Sequence, residues 1–201
     1  MTDSLINNIK WLGHSSVMIK AGERNIFIDP WKLKDLDEKA DIILVTHPHD
    51  DHYSENDIKK ISSDKTVIYS CDDVISKTSI KNKKAIEPYG EIINGDIRIK
   101  AFPAYNINKD FHPKKNNWIG FIIDCLGVRI YISGDTDFTD DMKQLKVNVA
   151  IVPIGGTYTM TEYEAADFIN MINPEYAIPI HWGDIVGTRE NAEKFKALVK
   201  P

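Results

Sequence analysis

The chain predicts an α/β fold in which two sheets pack together with helices on their outer faces. Three observations carry this. Ile- and Val-rich runs recur throughout, each half opens with short strands joined by turns, and each half then passes into alternating strand and helix patterns. The 201 residues suit a single domain over 1–201. Hydrophobic residues at 42% and charged residues at 27% are ordinary globular values, which excludes a disordered, collagen-like or disulfide-stapled chain.

The first strands fall at 9–12, 17–20 and 25–28, with Gly13 and Gly22 as punctuation, and suit an antiparallel meander. A continuous apolar run at 42–46 reads as a strand buried on both faces. Ser54 followed by Asp57 resembles a capping box, and Ile58 and Ile61 share a face of the short helix it would start. Strands at 66–69 and 84–87 flank a helix over 72–78.

The second half opens with a hairpin over 91–102, signalled by Asn94-Gly95, and a second hairpin over 118–132 turns near Gly127. Between them runs a polar loop, 103–117, long enough to suggest function. A short helix at 140–145 leads to a strand at 149–154. Thr161 with Glu164 starts a helix that reaches Asn173 and is stopped by Pro174. A strand at 176–180 and a helix at 189–199 finish the chain.

Lys plus Arg is 25 and Asp plus Glu is 30, and the net charge of −5 disfavours a broad nucleic-acid grip. No apolar run approaches the ~18 residues of a membrane span. Residues 1–10 do not read as a secretory signal. Only two cysteines, Cys71 and Cys125, occur, far apart; unpaired structural thiols in a reducing cytoplasm are expected.

The chemistry concentrates in His47-Pro48-His49-Asp50-Asp51-His52, directly after the buried strand. Pro48 biases His47 toward an extended backbone, where residues two apart share a face, so His47 and His49 can present imidazoles to one ion. Asp51 and His52 then turn toward a second position. Imidazole with carboxylate suits zinc, iron or manganese rather than calcium. No Gly-x-Ser-x-Gly elbow occurs, and Gly155-Gly156 lacks the pattern of a dinucleotide or P-loop fingerprint. Lys114 and Lys115, beside His112, could meet an anionic substrate.

The run His47-x-His49-x-Asp51-His52 resembles the HxHxDH signature of the metallo-β-lactamase superfamily. Ile28-Asp29-Pro30 is similar to that superfamily's first motif, Ser133-Gly134-Asp135-Thr136 to its bridging-aspartate motif, and Ile180-His181-Trp182 to its last histidine motif. Gly13-His14-Ser15, Tyr105-Asn106, His112-Pro113-Lys114 and Gly155-Gly156 resemble a subgroup of small hydrolases related to the ascorbate-6-phosphate lactonases.

The resemblance implies a four-layer αβ/βα sandwich of two mixed sheets, with the site at one edge between them. It implies a first metal on His47, His49 and His112, and a second on Asp51, His52 and His181, with Asp135 bridging. At the His112 position a water, Asn106 or Asp110 could stand instead. His14 is expected to bond a ligand rather than to coordinate, and Asp29 to orient a ligand histidine or a loop. Asp51 and Asp135 are the expected catalytic acids. Two divalent ions, zinc foremost with manganese or iron as alternatives, would activate a hydroxide. The expected activity is hydrolysis of a phosphoester, lactone or related ester of a small anionic substrate. Same-fold redox chemistry, or metals that only stabilise a binding protein, are the alternatives.

Overall fold

The computed structural model describes residues 2–34 and 36–200. Twelve strands form two six-stranded mixed sheets among these residues. The first sheet holds β1 (Ile9–Gly13), β2 (Ser16–Ala21), β3 (Arg24–Ile28), β4 (Ile42–Val45), β5 (Val67–Ser70) and β6 (Lys83–Ala85), side by side in chain order. Pairing is antiparallel from β1 to β3 and parallel from β3 to β6. The second sheet runs from β7 (Glu91–Asn94) through β8 (Ile97–Pro103), β9 (Ile119–Cys125), β10 (Val128–Ile132) and β11 (Val149–Pro153) to β12 (Tyr176–Ile180). Here the first four strands pair antiparallel and the last three parallel.

Alternation along the strands decides what each face meets. Ile130, Ile132, Val149 and Ile151 join Val17, Ile19, Ile26 and Ile28 in one cluster between the sheets. Their neighbours Tyr131, Ala150 and Val152 point the other way, into a second cluster with Ala165, Phe168, Ile169 and Phe195. Those last residues belong to α4 (Glu162–Ile172) and α5 (Arg189–Leu198), the layer outside the second sheet. Outside the first sheet lie α2 (Glu55–Ile61) and α3 (Asp72–Ile75), which bury Ile58, Ile61 and Val74. Fully buried strands such as β4 and β11 are continuous apolar runs for this reason.

Most expected elements stand where the sequence puts them. Ser54 caps α2 through the Asp57 N–H at 3.2 Å, and Thr161 and Glu164 form a reciprocal cap on α4. Four differences stand out. A short helix, α1 (Thr2–Ile6), precedes β1, where Leu5 anchors it in the core. The helix expected over 72–78 stops at Ile75 and continues as a turn, in which the Thr78 N–H donates to the Val74 carbonyl at 3.1 Å and the Thr78 hydroxyl to Glu55 of α2 at 3.1 Å. Residues Asp140–Gln144 form a 3-10 turn.

The first hairpin turns on Gly95 and Asp96, one residue later than Asn94-Gly95 suggests, with Asn94 paired to Ile97. Gly95 takes the positive φ of 65°. Asn94 is held in the strand by the side chains of Arg24 and Tyr69 of the first sheet. Both cysteines are buried and unpaired, and burial pushes the Cys125 thiol up to about 11.

Candidate metal centre

The topology sends six segments to one edge. Strands β1, β3, β4, β8, β10 and β12 all run the same way within their sheets, so their carboxyl ends share that edge. His14 follows β1, Asp29 follows β3, and the 47–52 segment follows β4. From the other sheet, the His112 loop follows β8, Asp135 follows β10, and His181 follows β12. Two backbone bonds stitch the sheets at this edge: Ile119 N–H to the Thr46 carbonyl at 3.2 Å and His181 N–H to the His14 carbonyl at 2.9 Å.

All six histidines of the chain converge here. One group of side chains gathers His47, His49 and His112, and a second gathers His14, Asp51, His52 and His181; within each, the potential ligand atoms lie within 4.8 Å of one another. Asp135 lies between the two groups. Its Oδ1 is 3.2 Å from His52 Nε2, and its Oδ2 is 3.3 Å from His112 Nε2 and 3.1 Å from His181 Nε2. Asp51 Oδ2 stands 3.0 Å from His14 Nε2 and 3.5 Å from His181 Nε2.

The surroundings fix which nitrogen of each ring faces inward. His52 Nδ1 donates to Asp29 at 2.7 Å, and the Thr46 hydroxyl donates to the same carboxylate at 2.8 Å. With its proton spent there, Thr46 Oγ1 accepts from His47 Nδ1 at 3.0 Å. His112 Nδ1 donates to Asn106 Oδ1 at 2.9 Å. With Nδ1 engaged, each of these rings turns its Nε2 to the interior, the arrangement by which neighbouring groups orient imidazoles for a metal.

That donor set fits divalent cations. Nε2 of His52, His112 and His181 is buried with no hydrogen-bond partner, although carboxylate oxygens lie close by. Buried polar atoms without partners are costly, and a cation between them and the carboxylates would satisfy both. Six imidazoles and two carboxylates suit zinc, manganese or iron better than calcium.

Electrostatics point the same way. Burial and the neighbouring His52 hold His47 well below its ordinary value, and burial lowers His49 and His14. For His52, burial is outweighed by Asp135 and Asp29, which raise it strongly. His181 is pushed up to about 9, again because Asp135 outweighs burial. Burial opposes the ionisation of Asp135, yet His181 and His52 hold its carboxyl well below the carboxylate range. Asp51 is lowered too, by His14 and His181 against burial. The two carboxylates thus stay charged and demand positive partners. Trp118 walls the site, with its ring 4.8 Å from His49 and 5.1 Å from His47.

The structure brings together every expected site residue: His47, His49, Asp51, His52, His112, Asp135 and His181. Asn106, an alternative ligand on sequence grounds, turns its Oδ1 to the backbone N–H and ring of His112. Asp110 is exposed. Asp29 orients His52 and also accepts the Thr46 N–H at 2.8 Å. His14 bonds Asp51 through Nε2 at 3.0 Å, as its expected supporting part requires, and it also stands within the second group of potential ligands. Its position at a strand end on the same edge, like the other five histidines, is the signal that marks it. Lys114 lies over the Tyr105 ring and pairs with Asp141, away from the cluster.

This fold and this cluster define a protein of the metallo-β-lactamase type. Residues 8–181 match the family model described as a beta-lactamase superfamily domain. A UPF0173 protein of Pyrococcus abyssi is 35% identical over 94% of this chain and 88% of its own length. A UPF0173 metal-dependent hydrolase of Thermococcus kodakarensis is 32% identical over 95% and 91%. A crystal structure from Parabacteroides distasonis, 31% identical, covers 94% of this chain and 87% of its own with a TM-score of 0.85. The metallo hydrolase Igni18 of Ignicoccus hospitalis, at 23% identity and TM-score 0.78 over 96% and 92%, shares the fold. The chain belongs to the UPF0173 family of metal-dependent hydrolases within the beta-lactamase superfamily.

Proposed function

We propose that the protein is a dinuclear metallohydrolase acting on a lactone, phosphoester or related ester. The observation that carries this reading is Asp135, whose two oxygens reach histidines of both groups. His47, His49 and His112 would hold one ion, His14, Asp51, His52 and His181 the other, and Asp135 would join them. Zinc is the first candidate and manganese or iron the alternatives. When bound, such ions supply an activated water near neutral pH and a Lewis acid for the oxygen of the group attacked.

The chain's own residues do the rest. Asp29, Thr46 and Asn106 hold the rings of His52, His47 and His112 in one tautomer and orientation. Two ions carry four positive charges, and Asp51, Asp135 and a hydroxide remove three. The centre keeps about one positive charge, which favours developing oxyanions and an anionic group on the substrate. Asp51 stands at the mouth, 18% exposed, and as an ionised carboxylate would help hold the second ion there. Trp118 excludes water from the far side of His47 and His49. A cytoplasmic setting accords with two free buried thiols.

Elemental analysis after dialysis against excess zinc tests the reading together with a panel of lactones, carboxylic esters and phosphodiesters. Two ions per chain and chelator-sensitive turnover are expected, with a melting temperature that rises on metal addition. Turnover that survives complete metal removal would overturn it.

A further inference from the structure

The mouth of the metal centre is built from chemistry that the cluster itself does not explain. A cavity of about 210 Å³ opens over the cluster and is lined by His49, Asp51, His112 and Asp135 together with Phe111, Tyr158 and Ile185. Every lining residue outside the cluster is thus apolar or aromatic. Each comes from a different loop: Phe111 from that after β8, Tyr158 from that after β11, and Ile185 from that after β12.

The wall is keyed to the cluster. Phe111 and Tyr158 meet edge to face, with centroids 4.6 Å apart at 89°. Asn106, which fixes the ring of His112, also donates through Nδ2 to the Tyr158 carbonyl at 3.0 Å. One amide therefore sets both a histidine of the cluster and the aromatic wall above it. Phe111 is nonetheless 47% exposed and Ile185 49%. Large apolar side chains left in water around a polar cavity mark a surface that something covers.

Charge around the mouth disfavours one class of occupant. No lysine or arginine lines the cavity. Lys109 is bound to Asp137, Lys114 to Tyr105 and Asp141, and Lys32 to Asp184. Exposed Asp50 and Asp110 sit directly beside cavity-lining residues in the chain, and Asp184, next to Ile185, is paired with Lys32. A second anionic group carried away from the metals would meet no lysine or arginine among the residues lining the cavity.

Resting on the dinuclear reading above, we infer that the site selects substrates whose non-reacting part is an uncharged apolar group of aryl size. An aryl- or branched-alkyl-substituted ester or lactone fits, whereas a phosphorylated sugar lactone does not. Any negative charge on the substrate belongs at the metals alone.

Three metal-directed probes test this on the zinc-loaded protein: acetohydroxamate, benzohydroxamate and phosphonoacetohydroxamate, each titrated calorimetrically. Covering part of a phenyl ring predicts that benzohydroxamate binds about tenfold tighter than acetohydroxamate. Phosphonoacetohydroxamate should bind no tighter than acetohydroxamate. Phe111→Ala and Ile185→Ala, both at exposed positions, should each draw the benzo-to-aceto ratio toward unity; that internal ratio cancels any difference in intrinsic zinc affinity. Zinc uptake with equal affinities, or a preference for the phosphonate, overturns this inference and leaves the hydrolase reading standing. Failure to take up zinc overturns both.

Discussion

The backbone N–H of His181 donates to the carbonyl of His14 at 2.9 Å, and both residues hold left-handed backbones, with φ of 58° and 48°. This region is uncommon for residues other than glycine and asparagine, and such strain persists where the surroundings enforce it. Here it aims both rings at Asp51, with centroids 4.3 Å apart. The bond crosses from one sheet to the other and fixes the second group of the cluster.

His14→Asn is therefore informative, since asparagine tolerates this backbone. The variant should fold, bind the first equivalent of zinc normally, and bind the second on the order of 100-fold more weakly. Competition titration with a chromophoric chelator reads this directly, and an unchanged second equivalent would exclude His14 as a ligand.

Asp29→Asn tests orientation rather than contact. An amide cannot accept simultaneously from His52, the Thr46 hydroxyl and the Thr46 N–H as the carboxylate does. A loss of about 10–100-fold in metal affinity is expected with the fold retained, because groups that orient metal-binding histidines carry effects of that size. Circular dichroism and the same titration separate the two.

Gly155→Ala should damage the site from the side. A Cβ at that position would stand 2.6 Å from the His181 carbonyl oxygen and 2.9 Å from His181 Nδ1. The carbonyl belongs to the backbone and can yield only by shifting His181. A destabilisation of about 1–3 kcal/mol is expected from such overpacking, together with weakened metal binding. An unchanged melting temperature would contradict the close approach.

Glu55 gives a pH-dependent prediction remote from the metals. Its carboxylate accepts from the Tyr53 hydroxyl at 2.7 Å, the Thr78 hydroxyl at 3.1 Å and the Ser79 N–H at 3.1 Å. Burial opposes its ionisation, but the donors from Ser79, Tyr53 and Thr78 outweigh it and lower the group from 4.5 to about 2. A depressed acid stabilises the fold above its unfolded value and loses that contribution as pH falls. Glu55→Gln should cost about 1–2 kcal/mol at pH 7, after allowance for solvent screening, and the difference should shrink between pH 4.5 and 2. Urea midpoints of both proteins across that range measure it; a difference independent of pH would refute the assignment.

The sequence shows the strands of the chain and four of the cluster's side chains, His47, His49, Asp51 and His52, because short-range signals specify them, whereas His112, Asp135 and His181 are legible only through the family resemblance. Apolar runs mark β4 and β11, and the 47–52 segment writes its chemistry within six residues. What it hides depends on distant partners. The one-residue shift of the first hairpin follows from Asn94 meeting Arg24 and Tyr69, which lie far back in the chain. The docking of Thr78 onto Glu55 joins two helices that are distant in sequence. His14 reads as a supporting residue, and its bond to Asp51 becomes visible only in the fold. Lys114 looks available to a substrate until Tyr105 and Asp141 are seen to occupy it.

The division of labour between the sheets has a practical outcome. Strands β1–β6 deliver His14, Asp29 and the 47–52 segment, and β7–β12 deliver His112, Asp135 and His181, with only residues 86–90 joining the two sets. A chain cut in that connection would yield two fragments, each owning an incomplete complement of imidazoles and one uncovered flank of the greasy interior. Neither piece can assemble the reactive centre by itself, so catalysis would return only on reassociation, and the enzyme offers a natural split reporter.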